Sequence, residues 1–293
     1  MTLDETGRVA EDAAFPPSVL AGRYRLERRL GIGGMASVYS ARDLLREQFG
    51  DPEPYVAVKM LNDELAACPD ASALLHGEFA LAMRLHHRHV VRVFGFEVDM
   101  QRERAFMTLE LMLGVTLDRV LVEHPAGLPR GAFHDIAHGL LGGLAHVHAS
   151  GVVHGDLKPS NVMLTDSGAR LFDFGLGQAC DGILQGLPSL SRERFNAWTP
   201  RYAALELLDS GHPTMASDLF AVACVLYELL TGQHPYPRLV TRQKPALRLE
   251  RQLQCPARLH RQGWRALRTA LALNVEDRDI SAAQLGAALQ KPP

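Results

Sequence analysis

The sequence predicts an α+β architecture in two lobes, the first β-rich and the second mainly α-helical. Two observations carry this. Up to about residue 113, apolar residues recur at every second position in short runs; from about residue 114 the spacing becomes helical. Strands gathered ahead of helices, rather than alternating with them, indicate separate layers, with a cleft where the two parts meet. The boundaries read as a flexible extension over 1–21, a first lobe over 22–113 and a second over 114–293.

The elements follow in chain order. YRLERRL, SVYSARD and YVAVKML alternate like strands. The connection LLREQFGDPEP, closed by Gly50 and two prolines, reads as a surface loop. ASALLHGEFALAMRLHH has helical spacing, with Leu74, Leu75, Phe79, Ala82, Met83 and Leu85 near one face. VVRVFGFEV and AFMTLELM are two further strands. GAFHDIAHGLLGGLAHVHASG sets Phe133, Ile136, Leu140, Leu144 and Val147 along one stripe, and Gly151 ends that helix. VVHGDLKPSNVMLTDSGARLFDFG is short strands and loops. SDLFAVACVLYELLTG is apolar nearly all round, which predicts a buried helix stopped at Gly232. The Ala/Leu/Arg-rich stretch from Trp264 to Gln290 reads as helix.

Composition removes several classes. With 47% apolar and 22% charged residues the chain is an ordinary globular protein, and a net charge of -2 argues against a broad basic nucleic-acid-binding face. Cys68, Cys180, Cys224 and Cys255 form no CxxC pair, which fits a reducing compartment and argues against a disulfide scaffold. Leu219–Leu230, the longest apolar run, is too short for a membrane span and contains Glu228. No signal peptide is visible, so the expectation is a cytoplasmic chain without a membrane segment. His86, His87, His89, His134, His138, His146 and His148 invite a metal reading, but no carboxylate or cysteine completes a site in their segments.

Chemistry enters with GIGGMASVY, Gly31 to Tyr39. A G-x-G turn between strands brings backbone N–H groups close to phosphates, though a glycine-rich hairpin would read the same. Lys59 ends the apolar strand VAVK, so its charge needs an anion, and Glu78 on the next helix offers one. HGDLKPSN is more specific. Asp156 suits a hydroxyl proton, Lys158 a moving phosphoryl group and Asn161 a metal ion, and phosphoryl transfer needs positioning and charge neutralisation above all. Twelve residues past Asn161, Asp173 of DFG is placed to bridge Mg²⁺ to phosphates.

This ordered set resembles the eukaryotic-type (Hanks-type) Ser/Thr protein kinases, especially their bacterial branch, over about residues 22–290. The resemblance implies the two-lobed protein kinase fold, with ATP and Mg²⁺ (or Mn²⁺) as cofactors and proteins bearing Ser or Thr as substrates. It implies catalytic roles for Asp156, Lys158 and Lys59, and metal-binding roles for Asn161 and Asp173. A nucleotide site would comprise Leu30, Gly31, Gly33 and Gly34 of the glycine-rich turn, Val38 and Ala57 as roof, Met163 as floor, and Lys59 with Glu78. Leu109 would be the gatekeeper, and Glu110 to Met112 the hinge. The activation segment would run from Asp173 to Glu206, with Thr199 near the acceptor hydroxyl. Asp218 would brace the catalytic loop, and Arg278 would pair with Glu206.

Several positions depart from that pattern. Ala36 replaces the third glycine, Leu205 the proline of APE, and Trp198 a common glycine. The sharpest departure is Gly155, where many kinases carry an arginine that pairs with a phosphorylated activation segment. It touches neither proton, phosphate nor metal, so its expected consequence is regulatory. HGD also marks small-molecule phosphotransferases such as the aminoglycoside and choline kinases. Lys158, the DFG motif and TPRYAALE point away from them. A pseudokinase scaffold is the other alternative, but Lys59, Asp156, Asn161 and Asp173 are all retained.

Overall fold

The computed structural model describes residues 19–33, 36–62, 69–175, 177–180, 200–208, 212–236, 250, 253–257 and 259–290. The chain divides into two compact units, one of residues 1–79 and 93–111 and the other of 80–92 and 112–293.

The alternating runs of the first unit form one antiparallel sheet. Its strands are β1 (Val19–Leu20), β2 (Tyr24–Ile32), β3 (Ala36–Asp43), β4 (Tyr55–Leu61), β5 (Val93–Asp99) and β6 (Arg104–Glu110), in the order β1-β2-β3-β4-β6-β5. Alternation sends Tyr24, Leu26, Tyr39, Ala41, Val56, Val58, Met60 and Phe106 into a shared core with Leu20. Each large apolar side chain buried there contributes about 1.5–3 kcal/mol. The polar edge of that core is satisfied too, since Tyr24 donates its hydroxyl hydrogen to Glu97 Oε1 at 2.7 Å.

Three local expectations need correction here. The first lobe begins before residue 22, because Val19 and Leu20 pair with Arg25 and Tyr24 and Leu20 is buried. The β3–β4 connection is not all loop: α1 (Leu44–Gln48) begins there, capped by Asp43 Oδ1 accepting from the Leu45 and Arg46 N–H groups. The following helix, α2 (Pro69–Ala82), also stops earlier than its apolar spacing suggests. Leu85 is buried by a turn, with Leu85 N bonded to Ala82 O at 3.0 Å, so its spacing imitates a helix that has already ended.

In the second unit, β7 (Val115–Thr116) leads into α3 (Leu117–Glu123) and the long α4 (Arg130–Ala149). The predicted stripe of α4 from Phe133 to Val147 is buried, and Gly151 sits beyond its end at φ +70°. Then come β8 (Val152–Val153), a 3₁₀ turn (Pro159–Asn161), β9 (Val162–Thr165), β10 (Gly168–Leu171), β11 (Gln178–Ala179) and α5 (Leu205–Leu208). The 3₁₀ turn carries part of the HGDLKPSN motif, and β9 and β10 form a hairpin behind it.

α6 (Met215–Thr231) is the buried helix expected, with every residue from Ser217 to Leu230 inside. Thr214 and Ser217 form a reciprocal cap at its start. Gly232 ends it in the left-handed region at φ +72°, where a β-carbon would lie 1.9 Å from Pro125 O. Only glycine fits there.

The tail is two helices rather than one: α7 (Arg261–Ala270) and α8 (Ala282–Gln290), separated by a 3₁₀ turn at Val275–Asp277. The break lets Arg278 turn inward, and Ser281 and Gln284 cap the new start reciprocally. Among the described residues no helix is long and apolar enough to cross a membrane.

Candidate active site

In the first unit, strand register gathers the predicted nucleotide residues on one face. Val38 lies opposite Gly31 and Lys59, while Ala57 lies opposite Leu109. Gly31, Val38, Ala57, Lys59 and Leu109 therefore share the sheet face opposite to the one that carries Tyr39, Val56, Val58 and Met60. Leu30 precedes Gly31 on β2 and is exposed; Glu110 pairs with Val56 on β4.

The glycine turn is closed by Gly33 N donating to Ala36 O at 2.8 Å. Asn62, which the sequence reading missed, pins it: Nδ2 donates to Gly33 O at 3.0 Å and Oδ1 accepts from Ser37 Oγ at 2.7 Å. Gly34 lies outside the described residues. Lys59 and Glu78 meet as a bidentate pair, Nζ reaching Oε1 at 2.6 Å and Oε2 at 2.8 Å, and both side chains are largely buried. The pair is therefore neither a surface lysine nor a solvated glutamate.

In the second unit, the HGDLKPSN residues converge. Lys158 Nζ donates to Asp156 Oδ2 at 2.6 Å. Asn161 Nδ2 donates to Asp156 O at 2.9 Å and lies 3.3 Å from Oδ2. Burial pushes the Asp156 carboxyl above the ordinary aspartate range and Asp173 adds to this, while the Lys158 ammonium opposes both.

Phe172 N donates to Asn161 O at 3.2 Å, tying the DFG segment to the loop. Phe174 is buried against the His154 ring at 4.7 Å. Asp173 itself sits at φ +67°, a left-handed conformation that costs a non-glycine residue about 1–2 kcal/mol. Met163 stands on β9 opposite Arg170 and Thr116, and Met112 also belongs to this unit.

The loop is held from behind by Asp218 on α6. Asp218 Oδ2 accepts from His154 N at 2.7 Å, and Oδ1 accepts from Gly155 N at 2.9 Å. His148 Nε2, singled out in the sequence only as one of several histidines, meets Oδ2 at 3.0 Å. Gly155 lies at φ +80°, which its missing side chain makes inexpensive.

Farther along, Arg278 makes a bidentate pair with Glu206 at 2.6 and 2.8 Å while donating to Ala272 O, Ala216 O and Leu273 O. Arg201 and Tyr202 both engage buried Glu228, an arrangement the sequence reading also missed. An acid inside the apolar run Leu219–Leu230 was the available signal, because it requires partners. Trp198 and Thr199 lie outside the described residues.

The donor chemistry suits a hard divalent cation. The amide nitrogen of Asn161 is committed to Asp156, which leaves its Oδ1 for a metal, and Asp173 offers carboxylate oxygen. No group of three His, Cys, Asp or Glu side chains among the described residues is arranged to hold a metal ion.

Residues 24–278 match the family model described as the protein kinase domain. The chain belongs to the protein kinase family. Its relatives place this kinase domain in the bacterial Hanks-type serine/threonine branch. It is 34% identical over 237 residues, 80% of this chain, to the serine/threonine-protein kinase PknE of Mycobacterium bovis. It is 36% identical over 223 residues, 75% of the chain, to the DNA damage-responsive serine/threonine-protein kinase RqkA of Deinococcus radiodurans. The chain spans 38% and 31% of the lengths of these two relatives. Among solved structures, the PknI kinase domain of Mycobacterium tuberculosis matches at TM-score 0.67 and 26% identity, covering 94% of this chain and 98% of that one. The two-lobed kinase fold expected from the motifs is therefore the fold of this chain.

Proposed function

We propose that the chain is an ATP-dependent protein kinase that transfers the γ-phosphoryl group to Ser or Thr hydroxyls of proteins and also phosphorylates itself. The observation that supports this best is the joined set of Asp156, Lys158 and Asn161 on a loop anchored by Asp218. In this reading Asp156 orients the acceptor hydroxyl and takes its proton, a task helped by its raised pKa. Lys158 offsets the charge of the group in transit. Lys59, steered by Glu78, grips phosphate oxygens, while the sheet face of Gly31, Val38, Ala57 and Leu109 receives the adenine nucleotide together with Leu30, Gly33, Gly34, Glu110, Met112 and Met163.

Asn161 and Asp173 would hold Mg²⁺, or Mn²⁺ in its place, which when bound supplies charge neutralisation at the phosphates. Cys180, Cys224 and Cys255 are all free, which supports action in a reducing, cytoplasmic compartment.

Transfer of labelled phosphate from Mg-ATP to a generic protein and to the chain itself tests the reading. Asp156→Ala and Lys59→Met should abolish the signal. Label found only on an added aminoglycoside or amino alcohol would make it a small-molecule phosphotransferase. Nucleotide binding without any transfer would make it a scaffold.

A further inference from the structure

Glu228 is an acid set in the apolar body of α6 and only 6% exposed. Both of its oxygens are used. Arg201 Nη2 donates to Oε1 at 2.6 Å, and the Tyr202 hydroxyl donates to Oε2 at 2.6 Å. The two partners are buried very differently. Tyr202 is inside, whereas the Arg201 side chain is 58% exposed against 8% for that of Glu228. A guanidinium carries five N–H donors. One is spent on Glu228, and the rest have no hydrogen-bond partner among the described residues. The anion is thus covered, and the face turned to solvent is cationic.

The position of this cation matters as much as its sign. Glu228 and Asp218 stand on the same helix, ten residues apart, or about 15 Å along its axis. Asp218 holds the loop that carries Asp156. An extended peptide covers about 15 Å in roughly five residues. The segment bearing Arg201 is also fixed a few residues later, where Glu206 is clamped by buried Arg278. Arg201 is therefore a preorganised donor group within reach of residues that flank an acceptor at Asp156.

We propose that Arg201 is a specificity-determining residue that selects substrates with Asp, Glu or phosphorylated residues within about five positions of the acceptor Ser or Thr. This rests on the kinase reading above and names the substrate class within it. A carboxylate or phosphate there takes up the unspent guanidinium donors; a Lys or Arg meets a like charge and finds Glu228 already occupied.

The test uses the whole chain and three peptides that share one acceptor and differ only in acidic, neutral or basic flanks. Wild type should phosphorylate the acidic peptide about three- to tenfold more efficiently in kcat/KM than the basic one, the scale of a partly exposed charge contact, and less selectively at high salt. Arg201→Ala uncovers the Glu228 carboxylate and should reverse the order. Arg201→Gln keeps a donor for Glu228, and with it the segment, and should abolish the preference without reversing it. No charge preference in wild type, or equal losses on all three peptides in both variants, overturns the proposal while leaving the kinase reading intact. No transfer to any peptide or to the chain itself, at the level of Asp156→Ala, overturns the kinase reading and this specificity with it.

Discussion

Asp218 holds Gly155 by its backbone: the glycine N–H donates to Oδ1 at 2.9 Å while Gly155 sits at φ +80°. The position where many kinases carry an arginine is here a residue for which a left-handed backbone is nearly free of cost. Gly155→Ala should therefore lower stability by about 1–2 kcal/mol in urea denaturation. Activity per folded molecule should change little, because the side chain faces no reacting group. The regulatory counterpart concerns Ser189 and Ser191, which lie outside the described residues. Ser189→Ala and Ser191→Ala should each retain wild-type activity, and loss rescued by an acidic residue would refute this.

The Lys59–Glu78 pair separates stability from function. Both side chains are largely buried, at 12% and 6% exposure, so removing one partner breaks a bidentate ion pair in a poorly solvated setting. Glu78→Leu alone should cost about 3–5 kcal/mol. The double variant Lys59→Met, Glu78→Leu should recover most of that in chemical denaturation yet remain inactive in phosphate transfer.

Asp156 should set the acid limb of the rate profile. Its carboxyl is raised by burial, so it takes up a proton at a higher pH than an ordinary aspartate, and transfer falls as pH drops through that value. Lys158→Ala removes the opposing cation and should move the limb of kcat/KM to higher pH. Asp156→Asn should lower the rate by about 10²–10⁴ at every pH.

A histidine cluster should make the fold acid-sensitive. His87 stacks on His146 at 5.0 Å, and His89 meets His138 edge-on at 6.1 Å. Burial lowers the His87 pKa, helped by His146, His89 and Arg88. Burial also lowers that of His89, helped by Arg88, His138 and Arg170, while the bond to Ala169 O resists. Both rings take up a proton less readily when folded than in the unfolded chain, where histidine binds protons near pH 6.5. Stability from this cluster is fully present above that pH and is lost as pH falls from there through the lower pKa values of the folded rings. Tm should drop between pH 7.5 and 5.5, and His89→Asn should flatten that drop.

The sheet, the long helices and the transfer loop were legible because each rests on local spacing. Period two sorted Val38, Ala57 and Lys59 from Tyr39, Val58 and Met60, and HGDLKPSN carries its three functional side chains within six residues. What was not legible depends on contacts remote in sequence. Leu85 kept the helical rhythm from within a turn, and Arg278 broke the tail by turning toward Glu206. Asn62, His148 and Arg201 gain their roles from partners 29, 70 and 27 residues away. The left-handed backbones of Asp173 and Gly155 leave no periodic trace.

The Glu206–Arg278 clamp also orders events during synthesis. The Glu206 carboxylate is answered by a guanidinium 72 residues downstream, and that guanidinium also ties down Ala216 and Leu273. Domains acquire structure from the amino terminus as they leave the ribosome. The segment bearing Glu206 therefore stays unlatched until Arg278, 72 residues further on, has emerged, so a nascent chain can carry every residue of the transfer loop and still lack its latch.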